Sequence, residues 1–296
     1  MKFAGIIAEY DPFHNGHAWQ LAQAKALGAE RVAVAMSCSL VQRGALPLLP
    51  EAVRTRSALT CGADLVFALP APCACAGAEA FARAGVALLA AAGCDGLVFG
   101  AETPDAALLM EAAELLDSGS YRAALKAQLA GGARSFAAAR QAAAAQLASD
   151  ERVAALLDKP NNNLAVEYCR AIRSLAPRME AYPLPRQGAN HGEALHSAHG
   201  QFASASALRK LWAEGGADAV APYVPEAVFP LYQEAYAAGQ YTDFSAAGRC
   251  ELALLRSACR GKAPFADIRG VSEGLEHRLE AAVRTSTTYD ELLDAL

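Results

Sequence analysis

Residues 5–17, GIIAEYDPFHNGH, constrain this chain more than any other segment. The apolar run Phe3–Ala8 reads as a strand and ends in a short turn. Residues 18–27 follow as a helix, stopped by Gly28. Strand, turn and helix in that order open a parallel sheet, and the turn lies where such sheets bind nucleotides. A helix start offers unpaired N–H groups and the positive end of a dipole, which suit phosphate. Gly16 has no side chain, so adenine or phosphate can approach the backbone closely. His14 and His17 are three residues apart and can face one phosphate group. They can donate hydrogen bonds to α-phosphate oxygens as negative charge builds there. Asn15 can orient one ring. Two loop histidines or a metal pair are the competing readings, and the strand before and helix after favour the nucleotide.

The next segments repeat the alternation. Residues 31–36, 64–69 and 97–100 read as strands, and 51–61 and 77–91 as helices closed by Gly62 and Gly93. Such alternation predicts an α/β fold, a Rossmann-like parallel sheet with helices on its faces. Residues 105–157 are Ala- and Leu-rich and predict a helical insertion. Pro160 and three asparagines predict a helix over 161–174. Residues 180–184 read as a fifth strand, 186–201 as a loop, and 204–212 as a helix. The expected division is a nucleotide-binding domain over 1–212 and a small helical C-terminal domain over 213–296. The last helix, 288–296, ends without a cap, which suggests a shortened chain.

Composition excludes several classes. Hydrophobic residues make up 54% of 296, so a large core is available and disorder is not expected. The formal net charge is −5 and no Lys/Arg run stands out, so any nucleic-acid contact must come from scattered arginines. Eight cysteines contain no CxxC pair and sit mostly among Ala, Leu and Val, where cysteine acts as a small buried hydrophobe. No metal set emerges; His191, His196 and His199 share one loop without regular spacing and read as solvated. With no signal peptide and no membrane-length apolar run, a cytoplasmic protein without membrane contact is expected.

A second motif lies near the end of the expected sheet. Residues 202–209, FASASALR, place Ser204 and Ser206 at a helix start and Arg209 within it. Alone the segment reads as an ordinary Ser-capped helix with a surface arginine; beside HNGH its hydroxyls and N–H groups can hold β- and γ-phosphates, and Arg209 can neutralise departing pyrophosphate. HNGH resembles the HxGH signature of the nucleotidylyltransferase superfamily, and FASASALR resembles its ISSTxIR signature. Further segments resemble one bacterial family, the tRNA(Met) cytidine acetate ligases. AEYDPFHNGH is similar to its AEYNPFHNGH, and residues 36–44, MSCSLVQRG, to its MSGNFVQRG. Residues 62–70, GADLVFALP, 99–102, FGAE, and 159–168, KPNNNLAVEY, also match in order, as does VSEGLE at 271–276.

That resemblance implies a two-step reaction. ATP and acetate give acetyl-adenylate and pyrophosphate, and the acetyl group passes to N4 of the wobble cytidine of elongator tRNA(Met). Magnesium would come with ATP. Carried over by motif, the ATP site comprises Ile7, Ala8, Glu9, Tyr10, Pro12, Phe13, His14, Asn15, Gly16, His17 and Gln20, with Gly100, Asn161, Arg186, Ser204 and Ser206. His14, His17 and Arg209 would serve the adenylation step. The acyl transfer needs mainly positioning, because an acyl-adenylate is already activated. Cys38-Ser39 replaces the family's Gly-Asn, and Pro50-Glu51-Ala52 its Asp-Lys-Trp. Glu51 would reverse a local charge, with Arg54 and Arg56 as compensating candidates. The family's basic C-terminal region is missing from this chain. Two other readings remain open: a nucleotidylyltransferase for another small substrate, and an inactive nucleotide- or RNA-binding descendant.

Overall fold

A computed structural model describes every residue except 133–134, 186–194, 198–199, 262–264, 269–270 and 272–273; at 43, 195–197 and 200 it describes only the backbone. The first unit opens with β1 (Phe3–Ala8), α1 (Asn15–Ala26), β2 (Arg31–Ser37), α2 (Glu51–Thr60) and β3 (Leu65–Leu69). A short α3 (Ala71–Ala74) precedes α4 (Ala78–Ala91) and β4 (Gly96–Ala101). The Ala-rich stretch then folds as α5 (Ala106–Asp117), α6 (Gly119–Ala130), α7 (Phe136–Leu147) and α8 (Glu151–Leu156). After it come α9 (Pro160–Leu175) and β5 (Glu180–Pro185).

The five strands form one parallel sheet in the order β3-β2-β1-β4-β5. β1 pairs with β2 from Phe3↔Arg31 to Ala8↔Met36, and with β4 through Ala4↔Gly96 and Gly5↔Leu97. The strand order reverses between β1 and β4, which opens a crevice beyond their carboxyl ends. Strands buried on both faces explain the continuous apolar runs. Ile7, Ala33, Ala35, Leu97 and Phe99 face one core with α4, α5 and α9. Ile6, Val32, Val34, Met36 and Val98 face the other. Gly5 has a packing reason: a Cβ there would sit 2.8 Å from Leu89 Cδ1 of α4.

The region read as a loop contains a short antiparallel pair, β6 (Leu195–Ser197) and β7 (Gly200–Phe202). After it, α10 (Ala205–Ala219) and α11 (Phe229–Ala237) pack on the second face. Trp212, Val220, Val224 and Tyr232 share one core with β1 and β2. The contacts accordingly divide the chain into Met1–Tyr241 and Thr242–Leu296, whereas the sequence suggested a break at 212/213, inside α10. The second unit holds α12 (Phe244–Ala258), α13 (Leu275–Thr285) and α14 (Tyr289–Ala295) around Leu252, Phe265, Val283 and Leu292.

The cysteines are less uniformly buried than expected. Cys94, Cys169 and Cys259 are buried, Cys38, Cys61, Cys73 and Cys75 are half-buried, and Cys250 is exposed. Burial pushes the Cys61 thiol up to about 11 and those of Cys94 and Cys169 up to about 12, so these three stay protonated and unreactive at neutral pH.

Candidate active site

The HNGH turn is held by its own imidazoles. His14 is the N-cap of α1, and its Nδ1 accepts from Gly16 N at 3.0 Å. His17 Nδ1 accepts from His14 N at 3.2 Å, which closes a reciprocal capping box. Because Nδ1 accepts in both rings, their neutral forms carry the proton on Nε2. The rings stack with centroids 3.8 Å apart, and Tyr10 meets His17 edge-on at 4.8 Å. Gly16 is required at this point: a Cβ would lie 2.8 Å from His14 Cε1. Asn15 does not orient a ring through these bonds. Its buried amide donates to Gln201 O at 3.0 Å and Pro222 O at 3.2 Å, tying the turn to later chain. Phe13 is buried, and its carbonyl accepts from Tyr232 Oη at 2.6 Å.

Charged groups brace the turn from behind. Asp11 is 4% exposed; its Oδ1 accepts from Leu48 N, and its Oδ2 from Arg209 Nη1 at 3.1 Å. Arg209 Nη1 also donates to Asp11 O at 2.7 Å, so the guanidinium is docked on the turn. Burial pushes Asp11 above its ordinary range, while Leu48 N–H and Arg209 pull it back. Burial likewise raises Glu9, against the pull of the Gln42 N–H on its Oε1. Arg54 is fully buried and donates to the carbonyls of Leu49, Glu9, Ser37 and Cys38. It is therefore a pin between the ends of β1 and β2. Arg56 lies on the surface, 3.6 Å from Glu234. Arg54 nevertheless keeps a favourable coulombic interaction with the exposed Glu51, whereas Arg56 is paired with Glu234 instead.

A cavity of about 320 Å³ opens at the crevice, within the size range of small-ligand sites. Of the residues singled out from sequence, it brings together Ile7, Ala8, Glu9, Tyr10, His14, Gly16, His17, Gln20, Gly100 and Asn161. Gln20 Nε2 donates to Val98 O at 3.1 Å, which fixes its amide against β4. Pro12, Phe13, Asn15 and Arg209 support the turn instead of lining the space. Ser204 caps α10 by accepting from Ala207 N at 3.2 Å and lies 3.1 Å from Ser206 Oγ; both are exposed, and Ala205 between them lines the cavity. Arg186 lies outside the described residues. Trp19, Phe81, Phe99, Leu164 and Tyr168 add an apolar wall; Phe99, Leu164 and Tyr168 lie in the FGAE and KPNNNLAVEY segments, whereas Trp19 and Phe81 were not singled out from sequence. Gln42, which also lines the space, belongs to the VQRG segment. Among the described residues no group of three or more His, Cys, Asp or Glu could hold a metal ion.

The sequence profile of the HIGH Nucleotidyl Transferase family matches residues 1–296. A tRNA(Met) cytidine acetate ligase of Syntrophotalea carbinolica is 37% identical over 100% of this chain and 70% of its own length. The chain belongs to the tRNA(Met) cytidine acetate ligase family. Another member, from Acetivibrio thermocellus, is 33% identical over 100% of this chain and 72% of its own. The family's fold is also matched: Thermotoga maritima TmcAL bound with alpha-thio ATP superposes with a TM-score of 0.88 at 29% identity, covering 100% of this chain and 70% of that one. Its apo form gives 0.90 at 30%.

Proposed function

We propose that this chain condenses acetate with ATP to acetyl-adenylate, releasing pyrophosphate, and then acetylates N4 of the wobble cytidine of elongator tRNA(Met). The observation that carries the first step is the pair of stacked imidazoles at the α1 N-terminus, lining a cavity of about 320 Å³. Each ring takes a backbone N–H on Nδ1, so the positive end of the helix is relayed to Nε2–H. Two such donors would stabilise the charge that develops on the α-phosphate as an acetate oxygen attacks phosphorus and pyrophosphate leaves. The apolar wall would exclude water, which would otherwise hydrolyse the mixed anhydride. In the second step the cytidine amine attacks the acyl carbon and AMP departs.

Magnesium would enter with the nucleotide phosphates. Of the acidic side chains lining the cavity, Asp11 already has both oxygens engaged, and Glu9 has one. The reaction belongs in the cytoplasm, where tRNA is modified. Among the described residues no helix is long and apolar enough to cross a membrane.

The test is ATP–pyrophosphate exchange with and without acetate, followed by acetyl transfer to tRNA(Met). Acetate-dependent exchange is expected, and His17→Ala should lose it by about 10²–10³-fold. Exchange that ignores acetate but answers to another acid would overturn the substrate assignment.

A further inference from the structure

Arg209 is the fifth residue of α10, one turn in from the helix start where Ala205 lines the cavity. From sequence, its charge is available to a phosphate. In the fold, that charge already has an anion. Arg209 Nη1 donates to Asp11 O at 2.7 Å and to Asp11 Oδ2 at 3.1 Å. A guanidinium Nη1 carries two protons, so one residue takes both. The carboxylate side of the pair is buried, while the guanidinium is 33% exposed.

Asp11 is itself fixed. Its Oδ1 accepts from Leu48 N, which leaves Oδ2 facing Arg209. Only a carboxylate meets both demands, because both of its oxygens accept. Asparagine would keep the shape and the Leu48 contact through Oδ1, but its NH2 would then face Nη1, donor against donor. The family segment quoted above, AEYNPFHNGH, has asparagine at this place, so the carboxylate sets this chain apart from that segment. Arg54, the other cation near Asp11, is held by four backbone carbonyls and does not need it. Asp11 lines the cavity, whereas Arg209 is not among the described residues that do. A phosphate arriving there meets a guanidinium whose charge is already balanced and whose Nη1 is tied behind the turn.

We propose that Asp11 is a positioning residue that withholds Arg209 from the nucleotide phosphates, so that pyrophosphate is held weakly and leaves readily once the adenylate has formed. This rests on the ATP-dependent reading given above. Two anions compete for one cation, and the protein's own carboxylate is in place first. Weak retention also protects the adenylate. Bound pyrophosphate can attack its phosphorus, expel acetate and regenerate ATP, and early departure removes that route.

The experiment compares the full chain with its Asp11→Asn and Arg209→Met variants and the double variant. Binding of pyrophosphate and of ATP, each with magnesium, is measured by titration calorimetry, beside pyrophosphate inhibition of acetate-dependent turnover. Asp11→Asn should bind pyrophosphate about tenfold more tightly, because a charge-assisted hydrogen bond becomes available to it. Inhibition by pyrophosphate should strengthen in step, and KM for ATP should fall. A merely structural lesion would loosen the site and give the opposite sign. The double variant should bind pyrophosphate as Arg209→Met does, since the gain acts through the guanidinium. A gain that persists without Arg209 would mean that Asp11 only repels phosphate directly, and the proposal would be overturned. Unchanged or weaker pyrophosphate binding in Asp11→Asn would overturn it as well. Should Asp11→Asn fail to fold by circular dichroism, Asp11→Ser, which also removes the carboxylate, is held to the same criteria. Tighter pyrophosphate binding beside exchange that ignores acetate would count against the acetate assignment alone. No pyrophosphate binding by any of the forms would overturn both.

Discussion

At the scale of single residues, the histidines carry two duties that substitution can separate. His14 caps α1 through Nδ1, and in the adenylation proposed above its Nε2–H would act on the α-phosphate. Asparagine is itself a favoured N-cap, so His14→Asn should keep stability within about 1 kcal/mol. The same change removes the outer donor, and exchange should fall about 10²–10³-fold. Urea melts beside exchange rates check both halves; parallel losses would reduce His14 to a structural cap. Glu9 supplies a pH signature. Burial raises its folded pKa above the unfolded value, so its contribution is fully present below the unfolded pKa and is lost as pH rises through the folded one. The stability of the unaltered chain relative to Glu9→Gln should therefore fall from about pH 4 upward and level off above the raised pKa. Urea midpoints across that window measure it, and a difference that climbs with pH would reverse the assignment. Sequence showed which residues form the turn, because residue types at fixed spacing carry that chemistry. It did not show what Asn15 holds, because the acceptors of its amide lie 186 and 207 residues away.

At the scale of elements, strands were the most legible. Phe3–Ala8 was read to the residue, and β2, β3, β4 and β5 within one residue at each end. The central β1, β2 and β4 are plain apolar runs because they are buried on both faces. The half-buried edge strands β3 and β5 were marked by their place in the strand–helix alternation. The start of α1 was read three residues late, since an imidazole cap does not look like Ser, Thr or Asp. The hairpin of β6 and β7 was missed because strands of three residues rich in Gly, His and Ser carry no period. The helical insertion was legible as helix but not as packing. Its anchor is Glu167 on α9, 5% exposed, which accepts from Arg140 of α7 and Arg170 of its own helix, both at 2.6 Å. Arg170 also reaches Asp117 of α5 at 2.8 Å. Glu167→Ala would take from Arg140 its carboxylate partner and leave Arg170 with Asp117 and Glu79. Because both arginines retain some solvent contact, the loss should be about 2–3 kcal/mol, below that of a wholly buried pair. Denaturant unfolding measures it, and a loss under about 0.5 kcal/mol would make the cluster ornamental.

For the whole molecule, every described residue lining the cavity lies between Ile7 and Ala205, inside the first unit. Residues 1–241 expressed alone should therefore bind ATP within about threefold of the full chain's affinity, as titration calorimetry would show. A tenfold loss would mean that 242–296 takes part in nucleotide binding. The strand order has a consequence during synthesis. β1 and β2 leave the ribosome early, yet β4 waits for β5 while about eighty residues are made, roughly 4–16 s at bacterial rates. Through that interval Gly96–Ala101 is an open, apolar edge, the kind that recruits strands from neighbouring chains. The helices α5 to α9 are made in the same seconds and fold through local contacts, so they can shield it. ATP cannot help until later, because the far side of its cavity emerges only with Ala205. The newborn chain must thus reach its fold without the nucleotide that it is built to consume.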